Sequence, residues 1–424
     1  NHNVVVIDID EDRVNELKYE LDVLTLAGDG TTSGVLEEAN VTDAELVIAS
    51  TDDDKTNLVT CGTAKALTDP FTIARVKSAE YQRTWMNTGA AFDVDFMVCS
   101  DLQTAETIVN VIGLPSAVDV DTFAGGLVEM AEFDIPENSP ITGQTVAEAD
   151  RFDSLTFAAL FRNGDMVLPQ GNTVIQSCDR AVVIGSPESV QQFAQDIAPG
   201  DTPGDTADIV IVGGSEIGYH TARLLGEREF SPKLIEQDAA RARELAERLP
   251  KTLVMHHDAT DTEFLKREHV DAADVLVSAL NSDEKNMLVS VLAERLGTDR
   301  IISLVDQGDY VQLFEAIGVD VAVNPRIVTA EEITRFTHEE VALNISVLEN
   351  DQAEVLELEL DRDSALVGRT IRDIDQDLDA DVVFGAVTRN GTLIIPRGET
   401  TLEPGDHVVV FVETAFVEEM LAMG

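Results

Sequence analysis

A glycine-rich segment in the middle of the chain has the residue types and spacing of a phosphate-binding turn. It follows an apolar run at residues 209–212 and precedes a helical pattern. Such a strand, turn and helix N-terminus presents backbone amides and a helix dipole to an anion. Ser215 stands where the G-x-G-x-x-G pattern has its middle glycine, so its side chain either crowds the phosphate or supplies a hydroxyl. The residues of this loop are Gly213, Gly214, Ser215, Glu216, Ile217 and Gly218.

An acidic residue follows the loop at the distance that a dinucleotide site requires. Glu236 ends a second apolar run, 23 residues after Gly213 (236 − 213), where a separation of about 20 is expected. A carboxylate at this position accepts two hydrogen bonds from an adenosine ribose and repels a 2′-phosphate. The alternative is an α/β turn that binds no phosphate. The order of strand, loop, helix and acid favours a nucleotide site.

The first residues of the chain resemble the second strand and acid of this nucleotide motif, but no glycine loop precedes them in the sequence. Residues 4–8 are typical of a buried strand that ends in an acid, Asp8, as the later strand ends in Glu236. The offset is 228 (236 − 8), which places the counterpart of Gly213 at −15. We therefore expect the first strand and glycine loop of an N-terminal nucleotide unit to be missing from this sequence. Asp8 is then either a ribose ligand or a simple helix-capping acid.

Corresponding residues recur along the chain at a nearly constant offset. Asn57 and Asn286 differ by 229, and Arg162 and Arg389 differ by 227. A constant offset over this length indicates an internal duplication. We predict an α/β fold with two Rossmann-like, doubly wound parallel-sheet domains, each followed by a small α+β lobe. The predicted bounds are 1–115, 116–200, 206–340 and 341–424, with a Pro/Gly-rich linker before the third part.

Composition excludes several classes of function. Lys and Arg number 29 against 80 Asp and Glu, which gives a net charge of −51 and argues against nucleic-acid binding. Such a charge is tolerated where molar salt shortens the Debye length to about 3 Å, so we expect a cytoplasmic protein of a halophile. No apolar run is long enough for membrane insertion. Three scattered cysteines predict buried, reduced thiols, and the adjacent His256 and His257 would point apart rather than share a metal.

The ordered motifs together resemble the TrkA family, whose members are tandems of RCK domains, the domains that regulate K⁺ conductance. The resemblance covers nearly the whole chain and implies proteins that bind NAD(H), and also ATP or ADP. It implies self-association into a ring beneath a membrane potassium transporter subunit of the TrkH type, peripheral to the inner face of the cell membrane. Motifs that carry it include residues 212–218, Ala27-Gly28-Asp29-Gly30-Thr31, Asp54-Lys55-x-Asn57 and Val323-Asn324-Pro325.

The resemblance also implies ligand positions in each half. In the first half, Arg75 corresponds to a basic residue that reaches the phosphates, whereas Leu304 occupies the matching position of the second half. The two halves are therefore expected to differ in ligand preference or affinity. The first-half positions are Asp8, Asp29, Thr31, Thr51, Asp52 and Arg75. The second-half positions are the loop residues 213–218 with Glu236, Asp258, Leu280 and Asn281.

Two other classes of function remain open at this stage. A nicotinamide-dependent oxidoreductase needs an acid or base beside the nicotinamide, and no Tyr-x-x-x-Lys pair occurs in the sequence. The small lobes are also too short and apolar to form a substrate cleft. A nucleotide- or redox-sensing adaptor without a transporter is the third reading. The predicted function is a regulatory, non-enzymatic subunit with no catalytic residue and no metal site.

Overall fold

The computed structural model describes residues 3–88, 91–114, 116–199, 208–337, 344–348, 352–378 and 382–424. They belong to two compact units, an N-terminal unit (1–104) and a C-terminal unit (105–424). The C-terminal unit contains a first lobe (117–199), an α/β domain (208–337) and a second lobe (344–424). Among the residues described, no helix has both the length and the apolar character of a membrane span.

The N-terminal unit alternates parallel strands with helices. Strands β1 and β2 form one sheet, and β3, β4 and β5 form another. Within the described residues of this unit no strand joins β1 to β3, and Val5, Leu46 and Ile48 on these strands remain exposed. The elements are β1 (Val5–Asp8), α1 (Glu11–Glu20), β2 (Leu24–Ala27), α2 (Ser33–Glu38), β3 (Leu46–Ala49), α3 (Asp54–Thr68), β4 (Phe71–Val76), α4 (Ala79–Thr88), β5 (Phe96–Cys99) and α5 (Ser100–Gly113), which continues into the next unit.

The first lobe is an antiparallel sheet with helices on it. Its strand order is β6-β7-β10-β8-β9, and an Asn-Gly turn at residues 163 and 164, both with positive φ, joins β8 to β9. The elements are β6 (Ala117–Phe123), β7 (Val128–Asp134), α6 (Val146–Ala149), β8 (Leu155–Arg162), β9 (Asp165–Val167), β10 (Arg180–Gly185) and α7 (Pro187–Ile197).

The α/β domain is built on six parallel strands in the order β13-β12-β11-β14-β15-β16. This order, 3-2-1-4-5-6 within the domain, is the doubly wound arrangement of dinucleotide-binding folds. The elements are β11 (Ile209–Val212), α8 (Glu216–Glu227), β12 (Lys233–Glu236), α9 (Ala239–Arg248), β13 (Leu253–His256), α10 (Thr262–Arg267), β14 (Val275–Ser278), α11 (Asp283–Leu296), β15 (Arg300–Leu304), α12 (Val311–Ala316), β16 (Val321–Val323) and α13 (Pro325–Thr337).

The second lobe repeats the topology of the first. Its strand order is β17-β18-β21-β19-β20, the same path through the sheet. The predicted α/β class with repeated parallel-sheet and lobe elements is confirmed, while the exact domain bounds stay a prediction. The elements are β17 (Asn344–Leu348), β18 (Ala353–Glu359), α14 (Ile371–Asp377), β19 (Val382–Arg389), β20 (Thr392–Ile394), β21 (His407–Glu413) and α15 (Val417–Met423).

Hydrogen bonds inside the duplicated domains repeat as well. The amide Nδ2 of Asn57 donates to the carbonyls of Thr51 (2.9 Å) and Arg75 (2.8 Å). Asn286 donates in the same way to Leu280 and Leu304, at 3.0 Å each. Each asparagine therefore joins its helix to the carboxyl ends of two neighbouring strands.

The first lobe shares a hydrophobic core with the α/β domain. Ile108 and Ile112 of α5 lie in one cluster with Phe193 of α7 and Leu225 of α8. Arg300 of β15 donates to the carbonyl of residue 111 in the last turn of α5, to that of residue 114 just after it and to that of residue 117 at the start of β6. These bonds fasten the end of α5 and the start of β6 to the α/β domain.

The two lobes pack on each other through their sheets. Gly385 of β19 lies so close to Ile184 of β10 that an added Cβ would be 2.6 Å from the isoleucine Cδ1. The hydroxyl of Thr156 donates to the carbonyl of Gly385 at 2.9 Å, and the amide of Ala124 donates to Glu357 at 2.9 Å. The lobes of one chain therefore form an internal pair with a continuous core.

The cysteines differ in part from the expectation. Cys61 and Cys99 are buried, and burial raises the pKa of each thiol to about 12. Cys178 is exposed, so the prediction of three buried thiols is wrong for this residue. It lies in the loop before β10 with φ of 63°, outside the alternating pattern that directs strand residues into the core.

Glu129 of β7 gives the first lobe a pH-dependent stability. Burial raises the pKa of this carboxyl from an ordinary 4.5 to about 7, against the opposing effect of Arg228. The unfolded chain releases the proton near pH 4.5 and the folded chain near pH 7, so stability falls as pH rises through this window. We expect Glu129→Gln to raise stability by about 1 kcal/mol at pH 8, a value reduced for solvent access, and to change little at pH 4.

Urea unfolding of the chain and the variant at both pH values measures this difference. Glu137→Gln, which alters an exposed carboxylate of the same lobe, is the matched control. An equal effect of Glu129→Gln at pH 4 and pH 8 would contradict the assignment.

Candidate functional site

The loop between β11 and α8 requires glycine at both of its ends. Gly213 has φ of 109°, and a Cβ there would lie 2.5 Å from the carbonyl oxygen of Ala279. A Cβ at Gly218 would lie 2.1 Å from the carbonyl oxygen of Gly213. The loop thus lies directly against the residues that follow β14. Its two outer glycines are required by packing, whether or not a ligand is bound.

Ser215 acts as the N-cap of α8. Its hydroxyl oxygen accepts a hydrogen bond from the Gly218 amide at 3.1 Å and donates to the Ala279 carbonyl at 2.8 Å. Serine is a preferred N-cap because its oxygen satisfies an amide that the first helical turn leaves free. The serine in the middle-glycine position therefore fixes the loop to both α8 and the end of β14.

Glu236 at the end of β12 lies beside the same loop. Its Oε2 accepts from the amide of Gly214 at 2.7 Å, and its Oε1 accepts from the amide of Asp238 at 2.6 Å. Two backbone amides thus hold the carboxylate in one orientation. Such an acid at the end of the second strand is where a ribose is bound in this class of fold.

An open cavity of about 390 Å³ lies over the loop and the carboxyl ends of the strands. Five residues predicted from the sequence line it, and two further lining residues, on the segment after β12, were not predicted. The predicted ones are Gly214, Ser215, Glu216, Glu236 and Asn281, and the others are Asp238 and Arg241. The cavity lies at the topological switch point of the sheet, between β11 and β14, where α/β folds bind their ligands.

The other predicted residues of the second half surround this cavity without lining it. Gly213, Ile217 and Gly218 are buried in and beneath the loop. Leu280 donates its amide to Asn286 at 2.9 Å, and so shapes the segment that leads to Asn281. The Oδ2 of Asp258 accepts from Gln237 at 3.2 Å, which links the ends of β12 and β13.

Asp29 and Asp258 have matching roles in their turns. The Oδ1 of Asp29 accepts from the amide and hydroxyl of Thr31 at 2.9 and 2.7 Å, and Asp258 does the same with Thr260 at 2.9 and 2.8 Å. These bonds lower the pKa of both carboxyls. The Oδ1 of each acid is thus held by its own turn, and the Oδ2 of Asp258 also accepts from Gln237.

Asp8 has the local geometry of Glu236. Its Oδ1 accepts from the amide of Asp10, two residues on, at 2.9 Å, as Glu236 accepts from Asp238. Asp10 is also the N-cap of α1, so Asp8 is not the capping residue. This supports the correspondence between the two acids.

Thr51, Asp52 and Arg75 come together at the ends of β3 and β4. The Thr51 hydroxyl donates to Asn57 at 2.7 Å. Asp52 lies 3.6 Å from Arg75 and 3.2 Å from Lys77. The buried Nε of Arg75 has no hydrogen-bond partner among the residues that the structure describes. Leu304, at the position of Arg75 in the second half, is buried in the core. The difference in charge predicted between the two halves is present in the structure.

The histidine pair has local partners. His257 stacks on Phe264 with ring centroids 3.8 Å apart, and the His256 Nε2 lies 3.1 Å from the carbonyl of Gln237. Within the described part of the chain, no cluster of His, Cys, Asp or Glu has the arrangement of a metal site.

Comparison with known proteins now decides the family. The TrkA-N domain matches residues 1–110 and 209–325, and the TrkA-C domain matches residues 130–198 and 355–423. The chain belongs to the TrkA family. Two family relatives are the Trk system potassium uptake protein TrkA homolog of Archaeoglobus fulgidus, 33% identical over 99% of this chain and 94% of its own length, and TrkA of Halomonas elongata, 31% identical over 97% and 91%.

Solved structures confirm the fold of this TrkA-family chain. The GsuK RCK domain has a TM-score of 0.63 at 20% identity, over 99% of this chain and 90% of that one. The structure titled as the GsuK channel bound to NAD has a TM-score of 0.63 at 21% identity, over 99% and 75%. At these identities the likeness establishes the tandem RCK fold alone.

Sequence reasoning missed two residues of the cavity, Asp238 and Arg241. Arg241 lies on α9, five residues after Glu236, and no glycine or strand end marks it. The available signal was a cation in the first turn of the helix that follows Glu236. The Asp238 N-cap, whose Oδ1 accepts the Arg241 amide at 2.8 Å, sets the start of that helix.

Proposed function

We propose that this chain is a nucleotide-sensing regulatory subunit that controls a membrane potassium uptake transporter. The observation that carries the proposal is the cavity over the glycine loop with the fixed carboxylate of Glu236 beside it. The relatives named as Trk potassium uptake proteins supply the transport system. The transporter partner would be a membrane subunit of the TrkH type, with this chain at the inner face of the membrane and associated into a ring.

The proposed ligands are NAD(H) and the adenine nucleotides ATP and ADP. The amides of Gly214 and Asp238 fix the orientation of the Glu236 carboxylate at the cavity, and its remaining lone pairs can accept bonds from vicinal ribose hydroxyls. Its negative charge opposes a 2′-phosphate, so NADP is disfavoured. The first amides of α8 and the helix dipole favour the diphosphate. The structure titled as GsuK bound to NAD shares the fold and agrees with this choice.

The side chains around the cavity favour binding over catalysis. Both oxygens of Glu236 accept backbone amides, and Arg241 makes ion pairs with Glu216 and Glu244. Acid–base catalysis requires a group that can exchange a proton with the substrate. The three carboxylates of the lining are already engaged, Glu236 and Asp238 by backbone amides and Glu216 by Arg241. The alternatives are an NAD-dependent oxidoreductase and an adaptor that acts without a transporter.

Ligand control requires that two arrangements of the protein bind the ligand with different affinity. Helix α8 connects the cavity to the rest of the C-terminal unit, because its N-terminus forms the loop. At its other end, Arg228 donates to the Val109 carbonyl at 3.2 Å and to Asn110 at 2.6 Å on α5. A displacement of α8 on ligand binding would thus reach the helix that enters the first lobe.

Removing the two ribose acids tests the proposal. We expect Asp8→Ala combined with Glu236→Ala to abolish the response of potassium uptake to nucleotides, because neither site can then hold the ribose. Calorimetric titration of NAD, NADH, ATP and ADP in molar KCl should show at least about a tenfold loss of affinity, as expected when charge-assisted hydrogen bonds are lost.

The control is Glu247→Ala, which removes an exposed carboxylate of α9. Uptake is measured in cells that lack the native protein and carry each variant. An unchanged nucleotide response in the double variant would contradict the proposal. Steady hydride transfer by the purified chain with NADH would favour the oxidoreductase, and loss of the chain without any effect on uptake would favour the adaptor.

A further inference from the structure

The cavity over the glycine loop has an unfavourable charge for the ligands proposed above. Its charged lining residues are three acids, Glu216, Glu236 and Asp238, and one base, Arg241. A diphosphate that enters must overcome this excess of negative charge. The dipole of α8 offsets it by about half an elementary charge. Within the lining of this cavity, Arg241 is the one full positive charge.

The guanidinium of Arg241 is held across the loop. Its Nε donates to the carbonyl of Gly214 at 2.8 Å, and its two terminal nitrogens pair with Glu216 at 2.7 Å and Glu244 at 3.0 Å. The side chain is 22% exposed. It therefore bridges the N-terminal turns of α8 and α9, with part of its surface open to the cavity.

The two halves of the chain share the position of Arg241, whose counterpart at the offset of 228 is Arg13, and they differ at the position of Arg75. In the N-terminal unit, Arg75 lies at the end of β4 beside Asp52. In the α/β domain the matching residue is the buried Leu304, so this position at the end of β15 offers no charge to a ligand. Arg241 enters the cavity from the opposite side of the sheet centre, through α9, which follows β12.

We propose that Arg241 is the residue that contacts the phosphate groups of an adenine nucleotide in the second site, in the role that Leu304 leaves unfilled. This inference rests on the proposed nucleotide-sensing function. A guanidinium presents several donors in a planar fork that matches phosphate oxygens. The Nε bond to the Gly214 carbonyl orients this fork, and Glu216 occupies one arm of it until a phosphate replaces the carboxylate.

Calorimetry with ADP, NAD and adenosine tests the role of Arg241. The titrations use the full chain in molar KCl with Asp8→Ala as the background, so that binding reports on the second site. We expect Arg241→Gln to weaken ADP and NAD at least tenfold, equivalent to about 1.4 kcal/mol, and to leave adenosine within about twofold of the background, since adenosine has no phosphate. Arg241→Lys should fall between the two because it keeps the charge but loses the fork.

Arg248→Gln is the matched control. Arg248 lies on the same helix and shares the partner Glu244 at 2.9 Å, but its guanidinium lies over the ring of Tyr219, 4.0 Å from the centroid. It does not line the cavity. We expect its affinities for all three ligands to stay within about twofold of the background, as for residues that make no contact with a ligand.

The outcomes separate this inference from the function on which it rests. Equal ADP affinity in Arg241→Gln and Arg248→Gln would overturn it while the nucleotide site stands. An equal loss of ADP and adenosine in Arg241→Gln would also overturn it, since a merely structural role weakens every ligand alike. If the background chain itself bound neither ADP, NAD nor adenosine, the proposed function would fail and this inference with it.

Discussion

Gly213→Ala should eliminate nucleotide binding at the second site and lower the free energy of unfolding by about 2–4 kcal/mol. Two independent effects add at this residue. The φ of 109° is a conformation that L-residues rarely adopt, and the new Cβ would lie 2.5 Å from the Ala279 carbonyl oxygen. The loop can relieve the clash with Ala279 only by moving away from the end of β14. This movement would displace Gly214 and Ser215 from the cavity lining.

Gly297→Ala is the control that separates backbone strain from the steric clash of the new Cβ. Gly297 also has positive φ, 96°, at the end of α11, but an added Cβ meets nothing within 4 Å. We expect about 1 kcal/mol of destabilisation from strain alone and no change in nucleotide affinity. Urea unfolding and ADP titration of both variants measure these effects. Equal losses of stability in the two variants would show that the steric clash with Ala279 adds nothing to the backbone strain.

The sequence was informative wherever a residue type has one dominant use. Gly213 and Gly218 required close backbone approach, and Glu236 closed an apolar run at the correct distance. The nearly constant offset indicated an internal duplication, and Asn57 and Asn286 make matching bonds in the two copies. These features are local, or are copied from a local pattern, and therefore do not depend on how distant elements pack.

The sequence was silent where the role of a side chain is set by another element. In the sequence, Ser215 is a departure from the glycine pattern. In the structure it caps α8, and its hydroxyl also donates to the Ala279 carbonyl after β14. Arg241 reads as a surface residue of an amphipathic helix, and only the fold brings it over Gly214. Cys178 could not be placed because it lies in a loop with positive φ, where strand alternation gives no information about burial.

The pairing of the two lobes was likewise beyond sequence reasoning. Nearly every residue along β10 and β19 is buried, so both faces of these strands are covered. One face packs within its own lobe and the other against the second lobe, as Ile184 does against Gly385. A strand that is buried on both sides carries no mark of which surface covers it, so internal pairing follows only from the three-dimensional arrangement.

Mutation of the buried ion pair between Arg389 and Asp406 in the second lobe should cause one of the largest losses of stability that a single substitution produces in this chain. Asp406 is fully buried, and its carboxylate accepts from Arg389 Nε at 2.7 Å, from Arg389 Nη2 at 2.8 Å and from the Glu403 amide at 2.8 Å. Arg389 also donates to the Thr401 carbonyl at 2.8 Å. Together these bonds close the long connection between β20 and β21.

Asp406→Ala should therefore cost about 3–5 kcal/mol of unfolding free energy, because the partly buried guanidinium of Arg389 loses its buried, bidentate partner and keeps only an ion pair with the more exposed Glu403. The duplication provides an internal repetition of the test. Asp179 of the first lobe accepts hydrogen bonds from Nε and Nη2 of Arg162, each at 2.7 Å, and from the Gln176 amide at 2.7 Å. Asp179→Ala should show a loss of similar size, since the same bonds close the corresponding connection there.

Glu399→Ala is the control within the second lobe, because Glu399 pairs with Arg372 at a site where both side chains are more than half exposed. Exposed pairs contribute at most about 1 kcal/mol. Urea unfolding of the three variants in molar KCl compares the two kinds of pair while the net charge is screened. If Asp406→Ala lost no more stability than Glu399→Ala, the β20–β21 connection would be held by its apolar contacts rather than by the ion pair.

In contrast, replacing both partners by Arg389→Met and Asp406→Leu should recover part of the loss, because no buried charge then remains unpaired.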